Sequence, residues 1–276
     1  MMRSLWTAAS GMRAQQVNVD TIANNVANIN TIGYKSQQAS FKSLLYQNLQ
    51  SISTNNAGEN KPVAAEVGLG SRVAAITSTF TQGNLTHVEN PFSVALEGDG
   101  FFQIRTESGE LQYTRDGSFE ISPVANGNML CTSDGNPVLD AYGNQIILPS
   151  NRVATDLVVN QDGTLAFPDG TGNPAVITDA NGRPVKFGIY QFNNPAGLSK
   201  EGSNNYSVTV ASGAAVAENG NAAVKQTKTH QYYTEASNVD VANEMVNLIV
   251  AQRAYEMNSK AIQASDEMMQ QANALR

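Results

Sequence analysis

The sequence predicts an α+β fold, with long N- and C-terminal helices paired as a coiled-coil-like stalk around an inserted, mainly antiparallel β domain. Three observations lead to this prediction. Apolar residues recur every seven positions near both ends, alternating runs separated by turn dipeptides fill the middle, and small polar residues join the first helix to that middle. We therefore expect a helical domain of residues 1–38 and 229–276, an extended connector of residues 39–72 and a β-rich domain of residues 73–228.

The N-terminal helix is expected to begin near Ser4, a favourable N-cap residue, and to end over Thr31 to Gly33. Its apolar residues step by three and four positions, which is typical of a helix that packs along a partner helix. The stripe consists of Leu5, Met12, Val19 and Val26, with Ala8, Gln15, Ile22 and Ile29 at the complementary positions.

The end of this helix carries asparagines where a soluble helix usually carries charged residues. The segment NNVANIN (24–30) contains four of them, and Asp20 is the only charged residue between Arg13 and Gly33. Asparagine is a mediocre helix former, but its amide can form hydrogen bonds across a packed interface without the cost of burying a charge. We interpret this surface as polar but not solvent-facing in the working state. A weakly structured tail is the alternative.

The connector is identified by its composition. The stretch QSISTNNAGENKPVAAEVGLG is polar and small, which favours an extended segment. Leu44, Leu45 and Tyr46 form an apolar cluster at its start that needs a surface to pack on. Pro62 removes a hydrogen-bond donor and stiffens the exit toward the β domain. We interpret the connector as a mechanical element that lies along another subunit, with a disordered linker as the alternative.

The middle of the chain, from Val73 to Thr229, consists of short alternating runs such as SVALEGDGFFQIR and LQYTRDGSFEIS. Asp-Gly and Asn-Gly dipeptides between such runs are strong hairpin signals, so the region is expected to form an antiparallel β domain. The dipeptides are Asp116-Gly117, Asn126-Gly127, Asp134-Gly135, Asp162-Gly163 and Asn181-Gly182.

The C-terminal helix is expected to start at Ser237 to Asp240, which have capping-box-like spacing, and to continue without Gly or Pro to Arg276. About 38 residues at a rise of 1.5 Å would give a rod of about 55 Å. A heptad stripe runs through Val241, Met245, Leu248, Gln252, Tyr255, Ser259, Ile262, Asp266 and Met269.

The apolar surface of this helix is too wide for one partner. Met245, Val246, Leu248, Ile249 and Val250 cover an arc of roughly 200° at 100° per residue. A single helix covers only one stripe, so the remaining surface is expected to face other subunits or the β domain.

Composition excludes several classes of function. The net charge of −7 leaves no basic surface for nucleic acid. The single cysteine excludes an intramolecular disulfide, and the lack of a long apolar run argues against direct membrane insertion. The N-terminus has no apolar region typical of a cleaved secretory signal, so any export is expected to use another route.

No pattern predicts catalysis, a cofactor or a metal. His87 and His230 are far apart in the sequence and lack ligand spacing, and Cys131 lies within an apparent strand with no obvious base nearby. The glycine-rich stretch EGDGFF is not a phosphate-binding loop, and the Asp- and Asn-containing turns lack the order of an EF-hand. No carboxylate pair stands out for glycoside hydrolysis, although an extracellular carbohydrate-active β protein remains an alternative of a different class.

Four separated blocks of the sequence resemble a known family. RSLWTAASGMRAQQVNVDTIANNVANINTIGYK and SNVDVANEMVNLIVAQRAYEMNSKAIQASDEMM resemble the N- and C-terminal signatures of the flagellar rod and hook axial proteins. VGLGSRVAAITSTFTQGNL and GDGFFQI…YTRDGSF are similar to the start of the β region in that family. RSLWTAASGM and FKSLLYQ resemble the distal-rod branch more than the hook or proximal-rod branches, while residues 123–227 match more loosely.

The resemblance implies a structural subunit and not an enzyme. Members are exported through the flagellar type III apparatus without a cleaved signal and stack in the periplasm into a hollow helical tube. Terminal helices line this tube and the β domain faces outward. The rod acts as a drive shaft that passes through the P and L rings and transmits torque to the hook. The implied partners are copies of the chain, other rod proteins, the hook protein, the P-ring and L-ring proteins and the export apparatus. A hook or proximal-rod subunit is the alternative within the family.

The stripes, the asparagines and the resemblance together predict a subunit interface on the terminal helices and a packing cluster on the connector. The predicted interface residues are Leu5, Met12, Val19, Ile22, Asn25, Val26, Asn28, Ile29, Val241, Met245, Leu248, Ile249, Tyr255, Ile262 and Met269, and the connector cluster is Leu44, Leu45 and Tyr46.

Overall fold

The computed structural model describes residues 2–50, 65–124, 127–150, 152–168, 174–179, 182–220 and 224–274. These residues confirm the α+β class, since they contain the two terminal helices α1 (Met2–Ala27) and α2 (Val241–Ala274) and antiparallel sheets. Neither described helix combines the length and hydropathy that a membrane span requires.

The chain divides into two compact units. Unit 1 consists of residues 1–27, 37–78 and 240–276, and unit 2 of residues 28–36 and 79–239. The chain therefore passes between the units four times. Residues 28–36, which we expected within the helical domain, group with the β-rich unit.

Unit 1 contains the two helices, packed antiparallel. Ser4 Oγ lies 3.3 Å from Ser265 Oγ near one end, and Asn25 Nδ2 donates to Glu244 Oε1 at 2.9 Å near the other. Between these ends Gly11 faces Asn258 so closely that a Cβ atom on Gly11 would lie 2.9 Å from the amide nitrogen. The fully buried contact residues include the small residues Ala8, Ala14, Ala251 and Ser265. Coiled-coil geometry for this pair stays a prediction.

The first helix ends earlier than expected. α1 ends at Ala27 and not over Thr31 to Gly33, because Asn28 and Thr31 form a hydrogen-bonded turn in which Thr31 N donates to Asn28 O at 3.2 Å. The side chains support the same turn, since Thr31 Oγ1 donates to Asn28 Oδ1 at 3.1 Å. Gly33 does adopt a positive φ of 69°, but in unit 2 and not as a helix stop.

The start of α2 is capped by Asp240. Its Oδ1 accepts a hydrogen bond from Ala242 N at 3.0 Å, and its Oδ2 accepts one from Asn243 Nδ2 at 2.7 Å. Ser237, the other member of the expected capping motif, instead accepts from Val239 N.

The described residues of the expected extended connector, together with their neighbours, form two successive antiparallel strand pairs, which we call the ribbon. The strands are β1 (Gln37–Ser43), β2 (Tyr46–Gln50), β3 (Ala65–Gly68) and β4 (Ser71–Ser78), with β1 paired to β4 and β2 to β3. The sequence analysis did not predict this strand pairing, because composition alone does not show that residues 37–50 and 65–78 complement each other. Residues 51–64, with Pro62, lie outside the described residues.

Unit 2 is built from short strands that pair antiparallel. They are β5 (Leu85–His87), β6 (Val94–Glu97), β7 (Phe101–Arg105), β8 (Leu111–Thr114), β9 (Glu120–Val124), β10 (Gly127–Cys131), β11 (Ile147–Leu148), β12 (Val158–Val159), β13 (Leu165–Pro168), β14 (Pro174–Val176), β15 (Ile189–Gln191), β16 (Ser199–Gly202), β17 (Asn205–Ser207), β18 (Val216–Ala217), β19 (Lys228–Gln231) and β20 (Tyr233–Glu235).

The largest sheet has the order β16-β17-β8-β7-β15-β18, and apolar clusters cover both faces of its central strand β7. Successive side chains of a strand point to opposite faces, so Phe101 enters one cluster and Phe102 the other. The first cluster includes Tyr113 and Tyr206, and the second, larger cluster includes Phe119. This double burial explains why β7 carries adjacent aromatic residues without alternation.

Most of the turn dipeptides behave as expected, with one exception. Gly135, Gly163 and Gly182 have positive φ and lie in hydrogen-bonded turns. Gly117 does not form a hairpin, because β8 pairs with β7 and β17. A Cβ atom at Gly117 would lie 1.8 Å from Val94 O, so this glycine permits a close backbone approach.

Tyr206 is expected to make unit 2 sensitive to alkaline pH. Burial raises the pKa of its phenol from 10.0 to about 12. Between these values the unfolded chain releases a proton that the folded chain keeps, so stability is full below pH 10 and is lost as the pH rises toward 12. A difference of about two pH units corresponds to roughly 3 kcal/mol. Tyr206→Phe should reduce the loss of urea stability between pH 9 and 11.5.

The control for this measurement is Tyr142→Phe, whose ring is 46% exposed. This variant should keep the wild-type slope of stability against pH. Equal slopes for all three proteins would contradict the assigned role of Tyr206.

Candidate assembly interface and buried ionic junction

α2 exposes a wide apolar surface, as the sequence predicted. Most of the exposed large residues lie away from α1, whereas Tyr255 lies at the edge of the helix pair beside Gln16 and Val19 of α1. We call this surface the α2 apolar face. It consists of Val241, Met245, Val246, Ile249, Val250, Tyr255, Met257 and Met268.

The face that α2 turns toward α1 differs from the predicted stripe. The less exposed residues Leu248, Ile262 and Met269 belong to that stripe, but Val241, Met245 and Tyr255 are exposed. The small residues Ala251 and Ser265, which a search for large apolar residues passes over, take the buried positions. The heptad pattern therefore identified the helix that packs on α1, but it included exposed residues in the stripe and left out Ala251 and Ser265.

The predicted interface residues of α1 are mostly inside unit 1. Ile22 and Asn25 are buried, and Leu5, Met12, Val19 and Val26 are partly buried. Asn28 and Ile29 follow the helix and belong to unit 2.

Asn25 shows how the asparagine-rich end is used. Its Nδ2 donates to Gln37 O at 2.8 Å and to Glu244 Oε1 at 2.9 Å, and its Oδ1 accepts from Gln37 N at 2.8 Å. The amide thus replaces a missing strand partner for β1 while it holds α1 to α2. A polar, uncharged side chain suits this buried position, because its amide forms hydrogen bonds with both backbone groups of Gln37.

Three exposed residues were missed by the sequence analysis. Trp6 is 73% exposed on α1, and Met257 and Met268 extend the α2 apolar face toward its C-terminal end. The signal was present for Trp6, because the only tryptophan of the chain stands outside the predicted stripe.

The ribbon also carries exposed apolar residues. Leu45, Tyr46 and Leu49 are largely exposed, whereas Leu44 is partly covered. The Tyr46 ring lies over Gly68, where a Cβ atom would be 3.4 Å from Cε1. A two-stranded hairpin is only marginally stable in water, so an apolar ribbon of this kind gains stability from a covering surface.

A buried ionic cluster lies within unit 2. Lys35 Nζ and Glu235 Oε1 are 2.5 Å apart, and both side chains are fully buried. Arg115 Nη1 lies 3.4 Å from Glu235 Oε2, and its guanidinium is 4.9 Å from the centre of the Phe101 ring. We call Lys35, Arg115 and Glu235 the ionic junction.

Backbone groups complete the junction. Lys35 Nζ donates to Thr81 O at 2.8 Å, and Glu235 Oε1 also accepts from Gly83 N at 2.8 Å. Gly33 N donates to Glu235 O at 2.8 Å. Three segments that are remote in the sequence, around residues 35, 81 and 235, are therefore joined at one buried point.

Asn238 forms a second set of hydrogen bonds that joins remote segments near the junction. Its Oδ1 accepts from Ser36 N at 2.7 Å, and its Nδ2 donates to Thr79 O at 2.8 Å and to Thr81 Oγ1 at 2.8 Å. Ser36, Thr79 and Asn238 lie at or next to the ends of the segments of unit 2 that continue into unit 1. The hydrogen bonds of Asn238 therefore hold the ends of these three segments together inside unit 2.

Burial sets the electrostatics of the two cations. It lowers the pKa of Lys35, and the neighbouring Glu235 carboxylate opposes that shift. Burial likewise lowers the pKa of Arg115, again against the attraction of Glu235. The carboxylate therefore favours the charged form of Lys35 and compensates the guanidinium of Arg115 for lost hydration.

The remaining candidate residues form no catalytic arrangement in the described part of the chain. His87 and His230 both lie beside Tyr233, with ring centroids 5.3 and 6.2 Å away, and His230 Nε2 is 2.7 Å from Glu97 Oε2. Burial raises the pKa of the Cys131 thiol. Among the described residues, no group of three His, Cys, Asp or Glu side chains lies close enough to hold a metal ion.

Removing one member of the junction should destabilise unit 2. Lys35→Met leaves the Glu235 carboxylate in a buried site without its ammonium partner, and we expect a loss of about 3–5 kcal/mol in the free energy of unfolding. Urea unfolding followed by near-ultraviolet circular dichroism measures this loss through the aromatic clusters.

Lys186→Met provides a matched control. Lys186 lies 3.3 Å from Asp162, but both side chains are partly exposed, so its removal should cost less than about 1 kcal/mol. Equal losses for the two variants would show that the junction does not stabilise unit 2.

Three family models match the chain. The model described as "Flagella basal body rod protein" matches residues 5–35, and "Flagellar basal body rod FlgEFG protein C-terminal" matches residues 230–275. Between them, "Flagellar hook protein FlgE/F/G D1 domain" matches residues 95–167. The models that match residues 5–35 and 230–275 cover most of both helices, and they also cover Lys35 and Glu235 of the junction.

Curated proteins match the chain along its full length. A flagellar basal-body rod protein FlgG of Borreliella burgdorferi is 43% identical over 100% of this chain and 99% of its own length. A protein of the same name from Caulobacter vibrioides is 38% identical over 100% of both chains. The flagellar hook-basal body complex protein FlhP of Bacillus subtilis is 33% identical, also over 100% of both.

Proposed function

This chain belongs to the family of flagellar basal-body rod proteins, and from that membership we propose that it polymerises with copies of itself into a hollow helical tube, the distal rod. Family membership makes it a structural subunit of the flagellar basal body. The self-assembly, the tube and the surfaces that build it are the proposal.

The α2 apolar face is the observation that carries this proposal. Seven of its eight exposed residues lie within residues 241–257 of one helix, and water-soluble monomers rarely leave so many large apolar side chains uncovered together. α1 already occupies the opposite side of α2 through small residues. A second copy of the chain can therefore cover the α2 apolar face without opening the helix pair.

The proposed arrangement places the helix pairs on the inside of the tube and the β-rich unit on the outside. The helix pairs carry the apolar surface that needs cover, while unit 2 has two apolar clusters of its own. Unit 2 therefore does not depend on neighbours for a core, which suits an outer position.

We further propose the partners that the position of a distal rod requires. These are the other rod proteins, the hook protein, the P-ring and L-ring proteins, and the type III apparatus that exports the chain to the periplasm. In this role the tube transmits torque from motor to hook. Full-length similarity to rod proteins favours this role over a hook or proximal-rod subunit, and over a carbohydrate-active protein.

Placing a charge on the α2 apolar face should block assembly without unfolding the chain. Val250 is 62% exposed, so Val250→Asp costs little in the monomer. In the polymer each subunit would bury an unpaired carboxylate, which costs several kcal/mol. Electron microscopy of the purified chain should show tubes for the wild type and none for Val250→Asp at the same concentration.

Val153→Asp is the matched control, because Val153 is 63% exposed but lies in unit 2. It should form tubes as the wild type does. Tubes from both variants would rule out the α2 apolar face as an assembly surface, and a wild-type chain that forms no tubes would count against the whole proposal.

The ribbon is proposed to stiffen the tube through Leu45 and Tyr46, which we expect to pack on a neighbouring subunit. Contacts at a second radius resist bending, because sliding between subunits must then break two sets of contacts. Deleting about 15 residues within 46–63 should leave polymerisation intact but give curved tubes. Tube curvature in electron micrographs measures the effect.

The double substitution Leu45→Ser and Tyr46→Ser keeps the length of the ribbon and should act in the same direction. Straight tubes from both changes would indicate a passive linker.

A further inference from the structure

A groove on the outer side of α1 has the properties of a docking site. It has a volume of about 430 Å³ and lies between α1 and β4, both within unit 1. Its α1 wall follows one side of the helix, since the residues are three or four positions apart. The main lining residues are Trp6, Ala9, Arg13 and Val17 on α1, and Arg72 and Val73 on β4.

The groove combines apolar walls with two positive charges. Arg13 and Arg72 both line it, and among the described residues neither guanidinium forms an ion pair. The described groove residues include no acid. An occupant that fits must therefore bring apolar side chains next to carboxylates.

The C-terminal third of α2, from Ala261 onward, has this chemistry. Ala261, Ala264 and Met268 are exposed and lie three and four positions apart, so they form one stripe. Asp266 and Glu267 are the only charged residues from Ala261 to Ala274, and both are exposed. Residues 241–260 of α2 are a poorer fit, because their two glutamates are balanced by Arg253 and Lys260 and one of them is already paired with Arg253.

We infer that the groove of one subunit receives the C-terminal third of α2 from a second copy of the chain. In this contact Glu267 approaches Arg13 and Arg72, and Met268 enters the apolar part of the groove. Asp266 already accepts a hydrogen bond from Gln270 at 3.1 Å, so Glu267 is the acid with more freedom to pair.

This contact would be heterologous, because the groove and the helix stripe are different surfaces of the same unit. In an open oligomer, a heterologous contact leaves one groove unused at one end and one stripe unused at the other. Further copies can therefore add until the contacts close into a ring or continue as an open helix. The inference rests on the proposed function, and it identifies a surface that makes the polymer directional.

Charge exchange between copies tests the inference. In full-length chains, Arg13→Glu places like charges at every contact of that variant, and Glu267→Arg does the same for the other variant. Each variant alone should raise the critical concentration for polymerisation about tenfold or more. An equimolar mixture should restore polymerisation, because each contact between one variant and the other pairs opposite charges.

The mixture distinguishes this contact from other models. Pelleted polymer should contain the two variants in equal amounts, and Asp20→Arg, a charge reversal on α1 outside the groove, should polymerise as the wild type does. Wild-type behaviour of either single variant, or failure of the mixture to recover while both chains stay folded, would overturn the inference and leave the proposed function intact.

A cross-linking measurement decides the case in which the wild type forms no polymer. Copies carrying Ala9→Cys are mixed with copies carrying Ala264→Cys and oxidised, and a disulfide-linked dimer containing one of each is expected. The same mixture with Val153→Cys in place of Ala264→Cys should give none. Equal yields from the two mixtures would overturn the groove contact whatever the state of the polymer.

Discussion

Unit 2 depends on one buried carboxylate. Glu235 holds the ammonium of Lys35, faces the guanidinium of Arg115 and accepts a hydrogen bond from Gly83 N, all away from water. The desolvation of three charged groups is costly, and the cluster is favourable only when all partners are present. The cluster therefore acts as a condition on the fold, since residues 28–36 and 79–239 must come together before any one of its members is satisfied.

Unit 1 follows the opposite principle. Its helix pair is closed by small residues and by the amide of Asn25, while the large apolar residues of α2 remain exposed. Close contact between small side chains satisfies the pair but buries little apolar area. The apolar area is thus available for contacts with other copies. The two units divide the work of the chain, with a self-sufficient core in unit 2 and an incomplete surface in unit 1.

Local patterns predicted the parts of the structure that depend on neighbouring residues. Both helices, the turns at Gly135 and Gly163 and the wide apolar arc of α2 follow from periodicity and turn chemistry.

The features that were not predicted have tertiary causes. Gly117 serves a close approach to Val94. The strand pairing of the connector was also not predicted, because the paired residues lie 15–41 positions apart and composition does not encode their contact. The junction was not predicted at all, because Lys35 in the stretch GYKS looks like an ordinary surface lysine until Glu235 is placed beside it. The heptad pattern predicted both helices but not which side of α2 faces α1, since alanine and serine occupy its buried positions.

The distance along the chain between Lys35 and Glu235 has a consequence for synthesis. A chain that leaves the ribosome N-terminus first cannot pair these residues until nearly all of it has emerged. Closing so long a loop is slow as well as entropically costly. The ionic junction therefore stays incomplete through most of translation, because Glu235 is the last of its three members to be synthesised. Unit 2 can reach its final buried arrangement only after residue 235 has been added, so the order of synthesis places the completion of this core late.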